Sequence, residues 1–221
     1  GNHEDYVLTS CDPSRPQTGP KAEMRQFSEW TYLQVRDQAF ELAAMPDRFA
    51  WQAPDGSTFM VMHASVLGNR LGIYPKTTDD ELRTRIAPGP TLFVTAHTHR
   101  ALRRQIDNSL VVNIGSSGLP FDDDWHVSYG RFVWQASGGW QAEVCRLPYD
   151  REQAERDLFT SGFMAEAGPF ADLVLVELRI ARGLIHCWAE KYQAAFLAGE
   201  IGLRESVDLF LAQADYRPWR R

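Results

Sequence analysis

The chain has 221 residues, 44% of them hydrophobic, enough apolar side chain for one full domain with a sizeable core. Charged residues break even the longest apolar-rich stretch, 170–197, at Asp172, Glu177, Arg179, Arg182, Glu190 and Lys191, which excludes a membrane-spanning helix. A net charge of −6 argues against an extended nucleic-acid surface, and three scattered cysteines (Cys11, Cys145, Cys187) exclude a disulfide framework and point to a reducing, cytoplasmic setting.

Gly1-Asn2-His3-Glu4 precedes a Pro/Ser-rich loop that runs to Pro20. Apolar and aromatic spacing at Phe27, Trp30, Leu33, Phe40 and Leu42 predicts helix over residues 22–44, stopped by Pro46. Residues 49–52 and 57–62 read as strands joined by the turn Ala53-Pro54-Asp55-Gly56. The second strand, Phe59-Met60-Val61-Met62, is unbroken apolar, as expected when both faces are covered, and delivers His63 at its end. Thr78-Asp79-Asp80-Glu81 is a capping box opening a helix to about Ile86, which Pro88-Gly89-Pro90 ends. Residues 91–95 form a strand ending at Ala96-His97-Thr98-His99, and residues 109–113 a strand ending at Gly115-Ser116-Ser117-Gly118. Residues 129–135 and 140–146 flank Gly138-Gly139, a hairpin signal. After Pro148 the pattern is helix only, over 151–159, 170–198 and 203–214, so an α/β core with a helical C-terminal appendage is expected.

Four of the six histidines fall at three places: His3, His63 after an apolar strand, and His97 with His99. Imidazole suits Zn, Mn, Fe and Ni ions, and an amide oxygen such as that of Asn2 suits harder ones. Open α/β sheets place ligands at strand C-termini, where His63, His97 and His99 fall. Taken singly each motif is weak. A lone His63 between Met62 and Ala64 is more often a satisfied, partly buried histidine than a ligand, and His-X-His pairs recur on surface strands by chance. His126, in a loop, and His186, inside an amphipathic helix, are assigned no site.

In order and spacing, Gly1-Asn2-His3-Glu4, His63, Ala96-His97-Thr98-His99 and Val112-Asn113-Ile114-Gly115-Ser116 together resemble the calcineurin-like metallophosphoesterase superfamily, nearest its compact bacterial members. The resemblance implies a two-sheet sandwich flanked by helices over residues 1–150. Residues 151–221 would be a helical extension packed on that core or mediating dimerisation. It implies that Asn2, His63 and His97 bind one divalent ion, that His99 binds another, and that His3 protonates the leaving oxygen or stabilises phosphoryl charge. The two ions (Mn, Fe, Zn or Ni) would act on a small phosphorylated substrate, a phosphomonoester or phosphodiester.

Ala96 stands where the family has Gly before His-Thr-His, Ile114 where it has Pro, and Ala64 where Gly often follows the strand-end His. Ala96 should matter only if its position needs φ > 0. The family's Asp-X-His and Gly-Asp-X-X-Asp motifs, upstream of Gly-Asn-His, supply the bridging carboxylate and further ligands. The resemblance therefore predicts a natural protein longer than this sequence. These 221 residues alone should hold at most one weakly bound ion, with little or no catalysis. Asp122-Asp123-Asp124 is read as a solvated acidic loop, and Arg217, Arg220 and Arg221 as a solvated basic end. The alternative is a non-catalytic relative acting as an interaction module, with a homodimer contact through the C-terminal helices; a helix over 170–198 buried in its own core is the favoured reading of that segment.

Overall fold

The computed structural model describes residues 1–10 and 12–213; Cys11, Ala214, Arg217, Arg220 and Arg221 lie outside the described residues. Residues 2–10, for which the sequence gives no periodic signal, are helical (α1, Asn2–Ser10), with Glu4 and Asp5 in the first turn, where the helix dipole favours acids. The single helix expected over residues 22–44 is three: α2 (Pro20–Glu23), α3 (Gln26–Val35) and α4 (Ala39–Ala44). A turn of 3-10 helix at Arg36–Gln38 separates the last two.

Residues 48–114 build a mixed five-stranded sheet from β1 (Arg48–Gln52), β2 (Thr58–Met62), β3 (Leu92–Thr95), β4 (Ala101–Ile106) and β5 (Ser109–Ile114), in the order β1-β2-β3-β5-β4. β2, β3 and β5 run parallel, and β1 and β4 are antiparallel edges. β2 is covered on both faces, Met60 and Met62 packing on one and Phe59 and Val61 on the other, but it stays half-buried because its neighbour β1 is an exposed edge. The fully buried strand is β3. β4 carries no sequence signal, since Arg103, Arg104 and Gln105 interrupt its apolar pattern. Arg104 is accommodated by the Thr77 carbonyl and Asp79.

Alternation along the strands sends side chains to opposite faces. On one face Phe93, Val111 and Ile106 meet Ile73, Leu82 and Ile86, from and beside α5 (Asp79–Arg85). The capping box expected at Thr78 and Glu81 is formed with both its bonds. On the other face Leu92, Val94 and Val112 meet Phe132, Trp140, Ala142 and Val144 of a hairpin, β6 (Val127–Gln135) and β7 (Gly139–Leu147). That hairpin is a separate two-stranded sheet, so this part of the chain is helix, sheet and hairpin in layers.

The C-terminal elements are α6 (Arg151–Thr160), capped by Asp150, α7 (Phe163–Glu166), α8 (Phe170–Ile180), α9 (Ile185–Leu197) and α10 (Leu203–Leu211). The helix expected over 170–198 is broken in two. Ala181 turns left-handed (φ 53°), and the buried Glu177 carboxylate accepts the N–H groups of Leu184 and Ile185 at the start of α9. Phe170, Leu173, Leu184, Trp188, Phe196, Leu203, Val207 and Phe210 form one core, with Trp188 Nε1–H donating to Ser206 Oγ.

The chain divides into two compact units, one of Gly1–Asn2 with Pro46–Tyr149, the other of His3–Met45 with the helices from Asp150 onward. Residues 3–45 thus group with the C-terminal helices rather than with the sheet. Phe27 and Trp30 of α3 pack on Phe163, Ala167 and Ala171, and the Trp30 and Phe163 rings meet edge to face at 5.1 Å. Among the described residues no helix is long and apolar enough to cross a membrane.

Candidate functional site

The parallel strands β2 and β3 end side by side, and their ends are tied together. Thr95 Oγ1–H donates to the carbonyls of Ala64 (2.6 Å) and His63 (3.1 Å), and Ala96 N–H donates to the His63 carbonyl (2.9 Å). This lateral bonding carries the chain straight from β2 into His63 and from β3 into Ala96-His97-Thr98-His99.

Beyond Ala96 the backbone turns sharply. Thr98 N–H donates to Ala96 O at 2.6 Å across His97, whose φ is 61°, and His99 is again left-handed at φ 55°. Non-glycine residues rarely adopt this region, and each instance costs roughly 1–3 kcal/mol unless the surroundings impose it. The strain falls on the two histidines and not on Ala96, a position that needs no positive φ and so accepts a methyl group. Gly72 must be small, because a Cβ there would come within 2.7 Å of both the His97 ring and Thr98 Cγ2.

The result is a convergence of three polar atoms from three segments. Asn2 Oδ1 lies 2.6 Å from His63 Nε2 and 3.2 Å from His97 Nδ1, and the two ring nitrogens are 3.2 Å apart. Asn2 is buried, and the two rings are half-buried and meet edge to face at 5.1 Å. The 2.6 Å separation is that of a hydrogen bond between Asn2 and His63, and the two 3.2 Å separations are near those of neighbouring donors around an ion bound at about 2.0–2.2 Å. Among the described residues no group of three or more His, Cys, Asp or Glu side chains is arranged to hold an ion. This cluster reaches three donors only through the Asn2 amide.

His99 is arranged differently. Its Nδ1 lies 2.6 Å from the Leu119 carbonyl, which can only accept, so Nδ1 carries the proton and Nε2 is the lone-pair nitrogen. Metal-binding histidines are commonly oriented in this way, by a backbone carbonyl on the far nitrogen. Phe121 stacks on the ring at 4.6 Å and its N–H donates to the His99 carbonyl.

The remaining residues singled out from sequence have other partners. His3 lies on α1 in the helical unit, edge to face with Tyr6 (5.9 Å) and Phe27 (6.1 Å). Its surface as a whole is exposed, but crowding around the ring desolvates it. That pulls its pKa below 6.5 against the opposing pull of Glu4. Asp122 and Asp124 are not a solvated loop. Arg146 pairs with both, and Asp122 also accepts Ala101 N–H, so these carboxylates are committed to holding the β4 and β7 ends. His126 pairs with Asp124 and His186 with Glu190. Asn113, which carried no role of its own in the sequence, is fully buried and bonds both Ala96 and Thr98. An Asn at a strand end, two residues before Gly115, was the available signal.

The fold has a solved counterpart. The crystal structure of a hypothetical protein from Pyrococcus horikoshii OT3 superposes with a TM-score of 0.59, covering 82% of this chain and 70% of that one at 13% identity. At that identity the likeness is one of fold. No family model and no curated protein matches the sequence.

Proposed function

We propose that this chain carries metal-binding residues of a phosphoesterase, with Asn2, His63 and His97 holding one divalent ion and His99 contributing to a second. The observation that carries this reading is the convergence of Asn2 Oδ1, His63 Nε2 and His97 Nδ1, all within 3.2 Å of one another. One amide oxygen and two imidazole nitrogens form a donor set that suits first-row divalent ions. The motif order of the sequence adds the phosphoester.

Divalent ions, when bound, supply positive charge to polarise a phosphoryl oxygen and acidify a water. The chain's own residues have distinct parts in this reading. Asn2, His63 and His97 fix one face of the phosphate position, and the Leu119 carbonyl orients His99 so that Nε2 is its ligating nitrogen. His3 is the leaving-group acid by the resemblance alone. With Asp122 and Asp124 committed to Arg146, these residues offer no evident carboxylate, so they hold one ion weakly and support little turnover by themselves. The three scattered cysteines of the sequence are the ground for proposing a reducing, cytoplasmic setting.

The test is release of p-nitrophenolate from bis-p-nitrophenyl phosphate and from the monoester, with Mn²⁺ and with chelator. It is run on this chain and on its His97→Ala variant at high protein concentration. Slow metal-dependent hydrolysis that is abolished by His97→Ala supports the reading. A rate undiminished in His97→Ala rejects the site, and no metal-dependent hydrolysis by the wild type rejects the activity.

A further inference from the structure

We propose that Asn113 is the positioning residue of the cation site: it locks the left-handed turn at His97 and so sets the affinity of Asn2, His63 and His97 for a divalent ion. The proposal rests on reading those three residues as ligands. Asn113 sits in β5 directly beside Thr95 of β3 and is fully buried. Its Nδ2 donates to Ala96 O (2.6 Å) and to Thr98 Oγ1 (2.9 Å), and its Oδ1 accepts Gly115 N–H (3.0 Å).

One amide thus grips the residues on both sides of His97. Ala96 O already accepts Thr98 N–H across the turn, and the Asn113 donor gives that buried carbonyl its second bond. The Thr98 side chain, also buried, is held by the other N–H, so neither flank of His97 can rotate back to extended backbone. On the far side Gly115, left-handed at φ 78°, completes the grip. A Cβ there would collide with the Ser128 hydroxyl, so the chain leaves β5 along the path that points Gly115 N–H back at Asn113. Without the amide the turn loses two donors at its two flanks, and the His97 ring loses the backbone that aims it at Asn2 and His63.

Asn113→Asp tests this most selectively. It keeps the shape and the acceptor for Gly115 N–H, and it replaces the two-handed donor with an oxygen facing Ala96 O. Zn²⁺ affinity is measured calorimetrically on the whole chain, and the imidazole ¹⁵N resonances are recorded without metal. The expected result is a Kd weakened about 10- to 100-fold, with His97 and His63 resonances moved in the metal-free protein. A purely structural role would lower the unfolding midpoint and leave both readouts of the folded protein unchanged, which overturns the proposal. If Asn113→Asp does not fold, Thr98→Val, which removes only the Thr98 bond, decides: a weakened Kd supports the proposal and a wild-type Kd overturns it. A wild-type chain that binds no Zn²⁺ overturns the ligand reading itself and this proposal with it, whereas wild-type binding with unaltered variants overturns this proposal only.

Discussion

Buried polar groups are met differently at two places, one in each unit. In the helical unit Glu177 and Trp188 close on conventional partners. Glu177 takes two backbone N–H groups at the start of α9, and Trp188 Nε1–H finds Ser206 Oγ. In the sheet unit Asn113 is satisfied in the same manner, but Asn2, His63 and His97 instead turn their polar atoms on one another. Polar atoms that answer a backbone need stabilise a fold. Polar atoms that converge, one of them on a ring carried by strained backbone at His97, are the arrangement on which the proposed cation site rests.

The largest expected effect lies in the helical core. Trp188 is fully buried, and Trp188→Ala should cost about 3–5 kcal/mol by urea or guanidinium unfolding. A loss below about 1 kcal/mol would break the claim that this residue centres the unit.

Next is Glu177, whose burial pushes its pKa from 4.5 up to about 7, against the pull of the Leu184 and Ile185 N–H groups. A carboxyl with a raised folded pKa binds its proton more tightly folded than unfolded. Its contribution is fully present below about pH 4.5 and is lost as pH rises through about 7, on the order of 3 kcal/mol in all. Glu177→Gln keeps the acceptor and never ionises, so its stability should be flat across that window while the wild type declines. Parallel profiles would contradict the assignment. Ion binding should be the same in both proteins, since Glu177 belongs to the structural class.

Gly72→Ala should sharpen the contrast from the other side. Its added methyl presses on the His97 ring and Thr98, at a stability cost of about 1–3 kcal/mol. Its main effect should be on cation affinity, weakened at least about tenfold. A stability loss with wild-type affinity would show that the His97 turn tolerates displacement.

Much of the sheet unit was legible before the structure. The turn at Ala53-Pro54-Asp55-Gly56, the capping box at Thr78, the β6–β7 hairpin and the delivery of His63, His97 and His99 at strand ends all follow from local chemistry that tertiary packing did not override. β4 was not legible, because Arg104 lies in the strand and its guanidinium is satisfied by partners about 25 residues away in sequence. The break between α8 and α9 was hidden for a related reason. Glu177 reads as an ordinary helix-surface charge, and only the fold shows it buried and capping the next helix. The grouping of residues 3–45 with the C-terminal helices was equally invisible, since Phe27 and Trp30 carry the same apolar signal whatever they pack against. At the site, residue types were readable, but the left-handed turns at His97 and His99 were not. Histidine carries no sequence mark of positive φ comparable to that of glycine.

Cation binding by Asn2, His63 and His97 is tested directly by Co²⁺ titration followed by visible absorption. Ligand-field bands should saturate at one Co²⁺ per chain in the wild type, vanish in His97→Ala and persist in Glu177→Gln. A wild-type spectrum no different from aqueous Co²⁺, or bands that survive His97→Ala unchanged, would contradict it.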